Sequence, residues 1–180
     1  MRKTIGIASA VVVTALLAAA AAFSAGTDDD DDDDEVSAAL VSALNGGALP
    51  LERGVSASAR EGQPISAKYE MEQGKMQLSV YTMQGERFSE VIVDHTSGGI
   101  AKVVPITSGG DLTAAQRQRE LMARAGRSLE SVTADAVKSN TGFRAISAMP
   151  RMRDGYPVIE VTLIRGDERK TVSELLQENE

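Results

Sequence analysis

Two kinds of hydrophobic pattern alternate along the chain. In the first kind, apolar residues recur every three or four positions, as do Val36, Leu40 and Leu44 before the sequence Asn45-Gly46-Gly47. This spacing predicts a short amphipathic helix that ends at the glycines. The same pattern predicts a second short helix over residues 113–125, again followed by a glycine.

In the second kind of pattern, apolar and polar residues alternate one by one, which predicts antiparallel strands joined by tight turns. Turn sequences stand at Gln73-Gly74 and Gln84-Gly85. The apolar positions of the predicted strands are Val55, Ala57 and Ala59; Ile65, Ala67, Tyr69 and Met71; Met76, Leu78 and Val80; Val91 and Val93; then Val132, Ala134 and Ala136; Ile146 and Ala148; and Ile159, Val161 and Leu163.

The two halves of this pattern resemble each other. Residues 65–91 can be placed over residues 146–172 by a gapless shift of 81 positions, and both turn glycines then match Gly155 and Gly166. The pattern predicts an α+β fold of two tandem repeats, each a short helix packed on a small antiparallel β-sheet. We expect the repeats to span 36–106 and 112–180, the second one degenerate, with a linker over 107–111.

These residues resemble the PepSY family of small exported bacterial modules, which have a cystatin-like fold. The first repeat closes on Val93-Asp94-His95-Thr96-Ser97-Gly98, close to the hydrophobic-Asp-x-x-Thr-Gly pattern of that family, with Ser97 in place of Thr. The second repeat has no equivalent of this motif. The resemblance implies association with peptidases, as an inhibitor or folding aid. It implies no catalytic residue.

The N-terminal segment indicates export. Residues 1–26 combine a basic start, an apolar run and a small-residue exit, which is typical of a cleaved signal peptide; a retained membrane anchor is the alternative. We therefore expect a periplasmic or secreted protein. Residues 27–35 are an acidic, Asp-rich linker that we expect to be an extended, solvated spacer. Weak calcium binding by its carboxylates is the alternative.

Composition excludes several classes of chemistry. Cysteine is absent, and there is a single histidine, His95. One chain can therefore form neither a catalytic thiolate nor a zinc site with two histidines. Aromatic residues make up 3% of the chain, and most of the net charge of −7 comes from the acidic linker. We therefore expect no nucleic-acid partner, no stable membrane insertion after cleavage and no bound cofactor or metal. The methionines are expected to pack in the core rather than bind Cu(I).

The expected function is noncatalytic binding of a protein or peptide, with a peptidase as the candidate partner. We predict that Asp94, Ser97 and Gly98 form a structural turn, since an Asp side chain accepts backbone N–H groups across turns. The candidate binding edge consists of two predicted strands, marked by Val55 and Ala57 and by Val132 and Ala134. The alternatives are a cation-binding envelope protein and a small enzyme that uses Asp, Glu or Ser.

Overall fold

The structure is a computed structural model that describes residues 37–176. The predicted signal peptide, the acidic linker and Val36 lie outside the described residues, as do the last residues of the second predicted repeat, 177–180. The described helices are α1 (Ala38–Asn45), α2 (Leu51–Ser58), α3 (Gly109–Met122) and α4 (Leu129–Ser139). The strands are β1 (Gln63–Glu72), β2 (Lys75–Gln84), β3 (Arg87–Val93), β4 (Ile100–Ile106), β5 (Arg144–Arg153), β6 (Tyr156–Arg165) and β7 (Glu168–Leu175).

The predicted α+β class is confirmed, but the strands form one sheet instead of two small ones. All seven strands pair antiparallel in the order β4-β3-β2-β1-β5-β6-β7. The halves meet where β1 pairs with β5 through Ala67↔Ala148 and Lys68↔Ser147. Pairing between the halves removes two exposed sheet edges that separate sheets would carry.

Helices cover both faces of the sheet. Strand alternation directs Leu78 to one face and Ser79 to the other. Helix α2 packs on the Leu78 face, because Gly54 lies against the Leu78 side chain and leaves no room for a Cβ. Helix α4 packs beside α2 and against β5 and β6. Helix α3 covers part of the opposite face, where Gln118 accepts a hydrogen bond of 2.8 Å from the Ser66 hydroxyl.

Two predicted strands are helices in the structure. Val55 and Ala57 belong to α2, and Val132 and Ala134 belong to α4. The apparent alternation is misleading because these segments consist largely of small residues. In α2 the buried side chains of Leu51, Val55 and Ser58 follow the helical spacing of four and three, and α4 buries Leu129, Val132 and Ala136 in the same way.

The first two strands of the two halves have boundaries that differ by one offset. Strands β1 and β5 begin at Gln63 and Arg144 and end at Glu72 and Arg153, so both ends are 81 positions apart. Strands β2 and β6 have the same offset at both ends. Register shifts occur at equivalent places, between Pro64 and Ser66 and between Ala145 and Ser147.

Candidate functional site

The turn between β3 and β4 is built on the side chain of Asp94. Its Oδ1 accepts hydrogen bonds from the backbone N–H groups of Thr96 (2.9 Å) and Ser97 (2.7 Å). These bonds hold the pKa of the Asp94 carboxyl below its usual value. Gly98 has a φ of 76° and donates its N–H to the Asp94 carbonyl. The carboxylate therefore stabilises the turn. The positive φ four residues later, at residue 98, is a conformation that favours glycine.

The turn does not assemble a hydrolase triad. The Asp94 carboxylate is directed to backbone amides, and His95 Nδ1 lies 3.4 Å from Thr96 Oγ1. Ser97 Oγ accepts the N–H of Gly99 at 3.2 Å. A triad needs the imidazole between the serine hydroxyl and the carboxylate, and these contacts place none of the three groups in that order.

A cleft of about 420 Å³ lies between this turn and helix α2. Leu49, Pro50 and Ala57 give it an apolar floor. Its polar lining comes from Arg53 and Ser56 of α2 and from Thr96, Ser97 and Gly98 of the turn. The walls are tied together, because the N–H of Leu49 donates to the carbonyl of His95 at 2.8 Å. The turn that sequence reasoning singled out thus forms one wall of a cleft.

The cleft carries positive charge without a compensating carboxylate. Within the described residues 37–176, no Asp or Glu lines it and the Arg53 side chain makes no ion pair. Arg53 is exposed, and its guanidinium group is free to donate. The hydroxyls of Ser56, Thr96 and Ser97 add further donors around it. The arrangement suits a group that accepts several hydrogen bonds and carries negative charge.

The same turn leads into β4, an edge strand of the sheet. A line of paired residues crosses the sheet from Ala67 through Val80 and Val91 to Val103. The first three are fully buried, whereas Val103 on β4 is 39% exposed. The apolar face under α2 therefore extends past the helix and ends uncovered at the sheet edge.

Backbone groups at this edge are available for pairing. Pro105 lies in β4, and a proline is accommodated on an edge strand where its missing N–H faces away from the neighbouring strand. Val103 lies two residues earlier, so its N–H points to the same outer side. Lys102 is the single charged residue of β4. The edge thus combines free backbone groups, an exposed valine and little charge.

The opposite edge, β7, has a different character. It also has an exposed apolar side chain, Leu175, at 39%, but four of its eight residues are charged: Glu168, Arg169, Lys170 and Glu174. Charged side chains of this kind on an edge strand discourage pairing with another chain. Of the two edges, β4 is the better suited to accept a further strand.

The predicted binding edge is wrong in its location. Val55 and Val132 are almost completely buried on the inner faces of helices α2 and α4, so neither belongs to a sheet edge that a partner could extend. Ala57 does line the cleft, but as part of a helix. Ala134 is exposed on α4. The sequence signal for the β4 edge strand is Pro105 within the apolar run of residues 100–106.

A polar cluster occupies the uncovered part of the other sheet face. Ser79 donates to Glu70 at 2.8 Å, and Lys68 pairs with Glu70 at 2.7 Å. Burial is the main cause that raises the pKa of Glu90, with a further rise from the charge of Glu70, while Ser79 and Lys68 lower it. Within residues 37–176, no group of three or more Asp, Glu or His side chains could hold a metal ion. The polar groups of this cluster thus pair with one another.

Comparisons with known proteins identify no family. No family model and no curated protein matches the chain. A candidate lipoprotein from Clostridium difficile 630 has a solved structure that shares 10% sequence identity, covering 73% of this chain and 89% of that chain with a TM-score of 0.40. A likeness at this level carries no argument about fold or function. The PepSY likeness therefore remains a resemblance in residues.

None of the described helices combines the length and the apolar character that a membrane span requires.

Proposed function

We propose that this protein is a noncatalytic module that binds an extended polypeptide by adding it as a strand to β4. The observation that carries the proposal is the exposure of Val103, at 39%, at the end of an otherwise buried line of apolar residues. A strand beside β4 gains main-chain hydrogen bonds and places an apolar side chain against Val103.

The expected affinity is modest. The outer N–H of Val103 and the carbonyl groups of β4 offer a few main-chain hydrogen bonds, each contributing about 0.5 to 1.5 kcal/mol net. Pro105 limits the number of donors on this edge. Because ordering the peptide opposes binding, side-chain contacts must supply part of the affinity and most of the specificity.

We further infer that the two halves are tandem repeats of one PepSY-like unit. The offset of 81 at both ends of the first two strands of each half and the equivalent register shifts support this inference. The resemblance to PepSY modules favours a peptidase of the cell envelope as the partner, inhibited or modulated by binding. Export through residues 1–26 is part of the same proposal.

An enzyme that uses Asp, Glu or Ser is the second candidate. The turn of Asp94 and Ser97 is the place where such residues meet beside a cleft. The Asp94 carboxylate accepts two backbone N–H bonds, which stabilise its charged form and make it a poor general base. Binding without chemistry is therefore the better supported function.

The test is selection of peptides from a random display library on the full-length protein, followed by affinity measurements on edge variants. Val103→Pro removes an outward N–H from β4, as Pro105 does already. We expect at least a tenfold loss of peptide affinity with a melting temperature close to that of the wild type. Val103→Ile keeps the backbone N–H and a branched apolar side chain, so it should bind nearly as the wild type does.

Three outcomes would contradict the proposal: no selected peptides, equal binding by Val103→Pro, or cleavage of a bound peptide by the purified protein. A strongly lowered melting temperature for Val103→Pro would show that the Val103 N–H points inward. In that case Val104→Pro, which removes the adjacent amide on the opposite side of β4, repeats the test; equal peptide binding by this folded variant would contradict the proposal.

A further inference from the structure

We infer that the Arg53 cleft recognises a carboxylate group of the bound polypeptide. This inference rests on the proposed function and names the chemistry that the same site selects. The cleft and the β4 edge share the turn over residues 94–99, which forms a wall of the cleft and leads directly into Ile100. A strand added to β4 therefore runs past the opening of the cleft.

The spacing allows one side chain of the peptide to reach the cleft. On a strand beside β4, every second residue faces the α2 side, at intervals of about 7 Å. When one such residue contacts Val103, a residue farther toward Ile100 on the same face is carried to the turn. Main-chain pairing then supplies affinity, while the cleft selects for one side chain of the peptide or for its C-terminus.

The chemistry of the lining selects a carboxylate. Arg53 can donate two parallel hydrogen bonds to a carboxylate, and it has no ion pair within the described residues. Ser56 and Thr96 provide hydroxyl donors on either wall. Asp94 is not among the residues that line the cleft, and its Oδ1 accepts the Thr96 and Ser97 amides, so it leaves Arg53 available.

The first turn of α2 adds to the same preference. Pro50 precedes the helix without a side-chain cap for the N-terminal amides, and it lines the cleft. Helix N-termini favour negative charge, although Glu52 in this turn offsets part of that effect. The carboxylate can come from an Asp or Glu side chain or from the C-terminus of the peptide, since both present the same group.

The test uses the selected peptides in matched forms. Each peptide is synthesised with its acidic residue or with the corresponding amide, and with a free or an amidated C-terminus. We expect the wild type to lose about tenfold in affinity when the recognised carboxylate is neutralised, as removal of a charge-assisted hydrogen bond implies. The form that shows the loss identifies the source of the carboxylate.

The variant Arg53→Gln should abolish this preference while retaining binding through β4. The matched control is Arg60→Gln, because Arg60 lies beyond the cleft, 3.6 Å from Glu61. Equal affinity of all peptide forms for the wild type, or an unchanged preference in Arg53→Gln, would overturn the inference and leave the β4 proposal intact.

A second measurement does not depend on peptide pairing. Sodium acetate, titrated against sodium chloride at equal ionic strength, should shift the backbone amide resonances of Thr96, Ser97 and Gly98 in the wild type and in Arg60→Gln. Arg53→Gln should show no such shift. Absence of an acetate effect in the wild type would overturn the carboxylate site even if no peptide had been selected.

Discussion

Ala67 of β1 and Ala148 of β5 lie opposite each other at the centre of the sheet, and both are fully buried. They are also the two residues that the 81-residue offset places in equivalent positions. On the α2 face, the strand junction between the halves is thus made by small side chains, and α2 and α4 pack side by side above them.

Enlarging one of these alanines should destabilise the whole described sheet. Ala148→Leu adds volume where Ala67 leaves none, and we expect a loss of about 2 kcal/mol in the free energy of unfolding. The core is continuous across both halves, so urea unfolding should remain a single transition. Ala101→Leu, at an exposed position of β4, is the control and should change stability little. Equal stability of the two variants would contradict the packing.

Arg144 fastens the first helix to the second half of the chain. Its guanidinium group donates to the carbonyl oxygens of Leu44 (2.9 Å), Ala48 (2.9 Å) and Leu49 (3.0 Å). Arg144→Met should lower the free energy of unfolding by about 2 to 3 kcal/mol, because partly buried carbonyls lose their donors. Arg151→Met, which changes an exposed arginine of the same strand, should cost far less. Similar losses in the two variants would show that the three bonds contribute little.

The raised pKa of Tyr69 predicts a loss of folding stability at alkaline pH. Its hydroxyl donates to Leu49 O at 2.7 Å, and burial raises its pKa from 10.0 to about 12. The unfolded chain therefore loses this proton first, and stability declines as the pH rises from 10 toward 12, by about 2 kcal/mol.

Chemical denaturation at several pH values tests this. Tyr69→Phe should be less stable than the wild type by about 1 kcal/mol near neutrality, and the difference should vanish or reverse above pH 10. Tyr156→Phe changes an exposed tyrosine and should follow the wild type. A difference that stays constant with pH would contradict the assignment.

Replacing Glu90 should increase stability, whereas replacing Tyr69 decreases it near neutral pH. Burial and the neighbouring Glu70 raise its pKa, so the folded state favours the protonated form. That contribution is present below the usual Glu value of 4.5 and is lost as the pH rises through the raised pKa. Glu90→Gln should therefore raise the melting temperature at pH 7 and give no gain in acid. Glu72→Gln, an exposed change, should show no such pH dependence.

The local features of the fold were accessible from sequence, and the long-range ones were not. The Gly74 and Gly85 turns and the first helix, up to Gly46, follow local rules, and the structure has them. Helices α2 and α4 were predicted as strands because small residues make the two periods hard to distinguish. Strands β1 and β5 are joined through two residue pairs, and no local sequence pattern predicts this pairing.

Only the local part of the candidate site could be predicted from the sequence. The Asp94 turn follows from the hydrogen-bonding preference of one side chain, so the sequence predicts it. The cleft requires Arg53, and Arg53 reaches the turn only because α2 is a helix packed on Leu78. The β4 edge depends on strand order across the entire sheet, which sequence spacing does not specify.

Backbone amide hydrogen exchange of the protein with and without a selected peptide tests the β4 proposal most directly. Strand addition predicts slower exchange at Val103 on binding, with β7 amides such as those of Thr171 and Ser173 unchanged. Protection confined to β7, or to the helices with Val103 unaffected, would contradict the account.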